Sequence, residues 1–251
     1  MAKVDLNADM GESFGPWPMG NDAALLGIVT SANVACGWHA GDADTMATTM
    51  ALARDNGVNI GAHPGFADLQ GFGRRRIKLS PTELENLVIY QLGAAQATAA
   101  ALGTSLRHLK LHGALANMCA EDEDMARTAY NAALRVAPDI VIMAIAATAQ
   151  ERAVRALDCN WVGEIFADRA YEDNGLLVDR SKPGAVIHDA QEASDRILRM
   201  VDAQALISQN GVKIPTQVDT ICLHGDGETA VQIAQTLRDN LSKAGVDIQP
   251  F

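Results

Sequence analysis

Six stretches of this chain concentrate side chains able to move protons, hold anions or bind cations. In Asp5-Leu6-Asn7-Ala8-Asp9 a polar residue recurs at every second position, so an extended backbone turns all three to one side. A salt-bridged interior layer and a reactive acidic row are both open to such a segment. Asn33 lies upstream of Cys36-Gly37-Trp38-His39-Ala40-Gly41-Asp42, where two glycines let the backbone turn tightly around His39 and Asp42 is placed to cap a helix. His63 is followed by Pro64 and Gly65; the rigid proline holds it in one orientation, as an acid, base or ligand requires.

Further along, Gly71-Phe72-Gly73-Arg74-Arg75-Arg76 sets adjacent guanidinium groups on a glycine hinge. It can clamp a phosphate or carboxylate bidentately, or stand as a solvated basic turn. Lys110 and His112 are two apart and face the same side of a strand. A lysine turned into a protein interior is costly unless an anion such as Asp9 or Asp5 pairs with it. In Glu164-Ile165-Phe166-Ala167-Asp168-Arg169, alternation aims Glu164, Phe166 and Asp168 inward, and His224 closes a last strand in His-Gly-Asp.

These residues need elements that bring distant segments together. Short β-like apolar runs at 4–7, 31–35, 59–62, 108–111, 140–145, 161–166 and 217–223 alternate with helix-periodic runs at 22–29, 43–55, 81–102, 123–136, 148–157, 189–208 and 227–242. That alternation predicts about seven consecutive βα units and a parallel sheet. Ser80-Pro81-Thr82-Glu83 reads as a capping box with proline at the first helical position, and Gly57 and Gly103 as helix stops. The polar segments follow the strands, whereas the helix-to-strand connections are short and plain. In parallel α/β folds ligands bind at the carboxyl ends of the strands, so the chemistry is loaded onto one face.

Bulk properties narrow the class. A chain of 251 residues with 48% hydrophobic and 4% aromatic content favours helices packed closely on a sheet over an aromatic-rich sandwich. With no linker of biased composition, residues 1–251 read as one domain. A net charge of -11 argues against a general nucleic-acid binder. Four widely spaced cysteines suggest neither a zinc knuckle nor a redox dithiol. The absence of an apolar leader and of any membrane-length run predicts a soluble cytoplasmic protein without a membrane role. Phosphate-loop, nucleophile-elbow, H-E-x-x-H and dinucleotide motifs are missing.

Taken in order, DLNADMGESFG, SANVACGWHAGD, GAHPGFADLQGFGRR, KLHGALAN, FADRAYEDNGLLVDR and DTICLHGD resemble the successive motifs of the LamB/YcsF family. The resemblance implies a distorted seven-stranded (β/α) TIM-like barrel akin to the glycoside hydrolase and deacetylase barrels. It also implies the A component of a three-part 5-oxoprolinase, a lactam hydrolase that converts 5-oxo-L-proline to L-glutamate with ATP, with B and C components as separate chains. The family pattern has Pro and Tyr where this chain carries Leu111 and Ala116.

A lactam carbonyl is protected by amide resonance, and phosphorylating its oxygen would activate it. Such a site needs cations for phosphate and carboxylate, oriented proton-handling groups and exclusion of water. The expected catalytic set is Asp9, His63, Lys110, His112 and Asp168. Asn7, Asn33, His39, Arg74, Arg75, Arg169 and His224 are expected to bind substrate and ATP, with magnesium accompanying the nucleotide. A tightly held metal, if present, falls to Asp9, His63 and His112. Two alternatives stand beside this reading: a metal-dependent deacylase on the same barrel, and a non-catalytic component that binds the lactam for its partners.

Overall fold

The protein is described by a computed structural model covering residues 2–223 and 230–251. In chain order the elements are β1 (Lys3–Met10), α1 (Asp22–Leu26), β2 (Ser31–Ala35), α2 (Ala43–Asp55), β3 (Asn59–His63), α3 (Pro81–Ala101), β4 (His108–Lys110), α4 (Gly113–Glu121), α5 (Glu123–Val136), β5 (Val141–Ile145), α6 (Ala149–Leu157), β6 (Trp161–Phe166), α7 (Ala190–Ala203), β7 (Ala205–Ile207), β8 (Lys213–Pro215), β9 (Thr220–Leu223), α8 (Ala230–Lys243) and β10 (Asp247–Ile248). Strands β1, β2, β3, β4, β5, β6 and β9 pair in parallel in that order, and β9 returns to β1. The sheet is a closed seven-stranded parallel barrel, as expected. β10 adds to the entry edge of β1.

Most barrel residues are buried on both faces, so the strands are apolar toward the helices and mixed toward the interior. Registry stacks the interior in layers: Asp5 lies level with Thr220, and Asp9 with Asn33, which is itself level with Gly61. Gly61 in turn lies level with His108. A Cβ at position 61 would overlap the His108 ring, so glycine there is what admits an imidazole to the interior. At the far end of the barrel, Phe251 packs on Val141, Met143 and Val162 and meets the His108 ring edge-on, 5.5 Å between centroids.

Helix signals are realised closely. Ser80 and Glu83 form the reciprocal capping box with Pro81 at the start of α3. Gly57 and Gly103 adopt φ +68° and +70° just past α2 and α3, the left-handed conformation that closes a helix at little cost to glycine. Three expectations are corrected. The helix expected over 189–208 ends at Ala203, where Gln204 turns left-handed at φ 44°; 205–207 instead pairs antiparallel with Lys213–Pro215 around Gly211. The helix expected over 22–29 stops at Leu26 before Gly27. Finally, α4 forms where the sequence announces no helix, because His112 gives it no side-chain cap and Gly113 opens it at φ +51°. Burial of Ala114, Leu115, Cys119 and Ala120 holds it instead. Residues 227–229 of the helix expected over 227–242, and His224, lie outside the described residues. Among the described residues no helix is long and apolar enough to cross a membrane. All four cysteines are free.

Candidate active site

A cavity of about 520 Å³ opens at the carboxyl end of the barrel, lined by Asp9, His63, Lys110, His112, Glu164 and Phe166 on its floor and by Arg74, Arg76, Arg169, Arg180 and Lys182 toward its rim. Lys110 is the centre of the floor. Its Nζ lies 2.8 Å from Asp9 Oδ1 and 2.8 Å from Glu164 Oε1, and donates to Cys222 Sγ at 3.0 Å. The Phe166 ring sits 5.3 Å away. Burial opposes the ammonium, but Asp9, Cys222 and Glu164 outweigh it and hold its pKa well above the usual 10.5. Lys110 is therefore a fixed cation, not a base. Glu164 is fully buried, and burial raises its pKa against the attraction of Lys110. Its Oε2 finds no hydrogen-bond partner among the described residues.

Below this floor runs a hydrogen-bonded layer. Asn33 Nδ2 donates to Asp9 Oδ1 at 2.9 Å and to Asn7 Oδ1 at 2.7 Å, while Asn7 Nδ2 donates to Thr220. Asp5 accepts from Thr30, Ser31 and Thr220. The acidic row thus divides by depth: Asp9 reaches the cavity, and Asp5 is the satisfied structural acid. Asn7 and Asn33, expected as ligand-binding residues, are fully buried and orient Asp9 and Lys110 from beneath.

Three histidines close one side of the site. His63 Nδ1 lies 2.9 Å from the Lys110 carbonyl, His112 Nε2 lies 2.8 Å from the Phe72 carbonyl, and His63 Nε2 faces His112 Nδ1 at 3.0 Å. Asp9 Oδ2 is 3.3 Å from His63 Nε2. His39 stacks on His112 with centroids 3.7 Å apart and rings 9° from parallel. Burial, with His63 and Arg74 adding to it, depresses the His112 pKa to about 3, and burial likewise pushes His39 well below 6.5. Glycine at 73 is required here, since its φ is +62° and a Cβ would crowd both His39 and His112. That turn delivers the Phe72 carbonyl to His112 and swings Arg74 over the Phe72 ring at 4.8 Å.

Not every expected residue reaches the cavity. Arg75 is turned outward into an ion pair with Asp68, which leaves Arg74 and Arg76 as the arginines of that run on the lining. Asp168 follows the end of β6 at Phe166, where strand alternation stops, and is absent from the lining; Glu164, inside the strand, takes that side of the floor. His39 lies behind His112 and reaches the cluster, not the cavity wall. Of the expected metal set, Asp9 Oδ1 is engaged by Lys110 and Asn33. The ligand atoms that converge within 4.8 Å belong to Glu12, His39, His63 and His112. Glu12, Glu164, Arg180 and Lys182 join the site without a place in the expected set, although Arg180 closes the motif FADRAYEDNGLLVDR. Arg169 is buried, donates to the Val178 carbonyl at 2.7 Å, and is pushed down to about 10 by burial and by Arg180. Leu111 and Ala116 both line the cavity.

Comparison with known proteins places this geometry. A chain from Ruegeria pomeroyi, named as the A subunit of 5-oxoprolinase, is 65% identical over 100% of this chain and 99% of its own. One from Rhodopseudomonas palustris with the same name is 50% identical, covering 100% and 99%. The crystal structure of a lactam utilization protein from Thermus thermophilus superposes with a TM-score of 0.92 at 40% identity, over 99% of this chain and 100% of that one. A family 4 carbohydrate esterase from Streptomyces lividans shares the barrel only, at TM-score 0.50 and 10% identity over 98% and 91% of the two chains. The model of the LamB/YcsF family matches residues 4–251. The chain belongs to the LamB/YcsF family.

Proposed function

We propose that this chain is the A component of a 5-oxoprolinase and carries the lactam-handling site of an ATP-coupled conversion of 5-oxo-L-proline to L-glutamate. The observation that carries this reading is full-length similarity to chains of that name, joined to a cavity whose charges suit a small anionic lactam. The cations Arg74 and Arg180 on the lining, with Arg169 buried beside them and Lys182 paired to Glu172, would attract the substrate carboxylate and any phosphate brought with ATP and magnesium. Lys110, fixed between Asp9 and Glu164, presents positive charge where a carbonyl oxygen becomes anionic, the preorganised form of stabilisation that needs no rearrangement during reaction. His63 and His112 line the same cavity beside Asp9 and would position the lactam against Lys110. Phe166, Leu111 and Ala116 keep the floor apolar around these charges.

Separate B and C chains belong to the same proposal. Reconstitution with them, 5-oxoproline, ATP and magnesium, following glutamate and phosphate together, tests it. Stoichiometric release of both that depends on this chain is expected. Glutamate formation by the partners alone at the same rate would overturn the reading.

A further inference from the structure

The histidine cluster contains a conflict that neutral imidazoles cannot resolve among themselves. A backbone carbonyl only accepts hydrogen bonds, so the contacts to the Lys110 and Phe72 carbonyls fix the proton of His63 on Nδ1 and that of His112 on Nε2. The two remaining nitrogens, His63 Nε2 and His112 Nδ1, then point lone pairs at each other across 3.0 Å. Lone pairs so close repel unless a positive centre lies between them. Beside them His39 is fully buried, and neither of its ring nitrogens has a hydrogen-bond partner among the described residues. A buried imidazole without partners is costly.

One ligand answers both observations. We propose that Glu12, His39, His63 and His112 form a binding site for a single divalent transition-metal cation of the zinc class. Their ligand atoms lie within 4.8 Å of one another. Two metal–nitrogen bonds of about 2.1 Å at a tetrahedral angle span about 3.4 Å, so the two facing nitrogens, 3.0 Å apart, need part only slightly to admit the ion. The carbonyl contacts of His63 and His112 are the outer hydrogen bonds that orient metal-bound imidazoles and fix their tautomers. Three nitrogens and one carboxylate suit zinc, cobalt or nickel, whereas magnesium prefers an all-oxygen shell. Asp9, 3.3 Å from His63 Nε2, adds compensating negative charge. Lys110, paired to the other side of Asp9, is not part of the set.

The isolated chain, stripped with a chelator and dialysed, is titrated with zinc chloride by calorimetry and with cobalt chloride by visible absorption; bound metal is counted by mass spectrometry. One equivalent is expected, with a cobalt spectrum of nitrogen ligation. His63→Ala and His112→Ala should each weaken uptake by about 10- to 100-fold, and His39→Gln should weaken it while circular dichroism confirms the fold. Absence of saturable uptake by the wild type would overturn the proposal, as would uptake unchanged in the His63→Ala/His112→Ala variant. A nitrogen-15 spectrum of the metal-free protein in which His63 and His112 share one proton, unaltered by zinc, would overturn it too. No lactam, nucleotide or partner enters these measurements. Zinc binding by a chain that supports no glutamate release in the reconstituted system rejects only the functional reading, and the reverse result rejects only the metal site.

Discussion

Lys110 and Glu164 meet at 2.8 Å on the cavity floor, from strands that are not neighbours in the sheet, with Glu164 fully buried. The pair places a fixed cation beside a buried acid whose pKa burial raises. Replacing Lys110 by Met would leave Asp9 and Glu164 buried without their counter-charge, a loss of about 3–5 kcal/mol in stability. Turnover in the reconstituted system should fall by at least about 100-fold. Glu164→Gln should soften the first effect: the double variant is expected to unfold at higher denaturant than Lys110→Met alone, with a coupling of about 0.5–3 kcal/mol. Denaturant titration of the four proteins measures it, and strictly additive effects would show that the contact carries no energy.

Acid should expose the cost of the buried imidazoles. Burial, then the neighbouring Lys110 charge, lowers the His108 pKa from 6.5 to about 3. A depressed folded pKa means the stabilising contribution is intact above 6.5 and is lost as pH falls from 6.5 toward 3, at about 1.4 kcal/mol per unit. Asp5 and Glu164, whose pKa values are raised chiefly by burial, act in the opposite sense and are common to both proteins compared. His108→Gln should therefore show a shallower decline in unfolding free energy between pH 6.5 and 3 than the wild type. Parallel curves would contradict the assignment.

The two neighbouring arginines separate sharply. Arg75 is committed to Asp68 away from the cavity, whereas Arg74 lines it. Arg74→Ala is expected to raise KM for the lactam or nucleotide by about 10-fold or more, the scale of a lost charge-assisted hydrogen bond. Arg75→Ala should leave KM and kcat within about twofold and change stability by no more than about 1 kcal/mol. Steady-state kinetics of both variants decide, and equal losses would mean that the outward pair also serves the site.

Backbone fit offers an independent test at Gly73. Alanine there must hold φ +62° and press against His39 and His112. A loss of about 1–3 kcal/mol is expected, together with reduced activity. Thermal unfolding and turnover of Gly73→Ala provide the check; an unperturbed variant would show the turn to be more compliant than its geometry indicates.

The barrel is legible in the residues because seven runs of period two alternate with seven of period 3.6, and because Pro81, Gly57 and Gly103 punctuate the helices. Asp9, His63, Lys110 and His112 are legible for the same reason: strand ends of a parallel barrel converge whatever the rest of the sequence does. Asp168, expected to face inward by alternation, instead follows the end of β6 at Phe166 and is not on the cavity lining; nothing in the residues themselves marks where hydrogen bonding between strands ends. Arg75 and Arg74 are identical in type and adjacent in sequence; only the carboxylate of Asp68 tells them apart. Glu12 is hidden in a segment dominated by Asp5, Asn7 and Asp9, and its approach to three histidines depends on contacts between βα loops that no local pattern encodes.

Phe251, set against Val141, Met143 and Val162 with His108 above it, stoppers the barrel at the end away from the cavity. Together with the buried Asp5 layer it makes the interior, among the described residues, a blind well and not a passage. A molecule held in such a well would leave by the rim it entered, so its discharge and the admission of the next would take turns. Traffic at that rim, governed by the arginine-bearing loops, becomes the natural point at which an associated chain could set the pace.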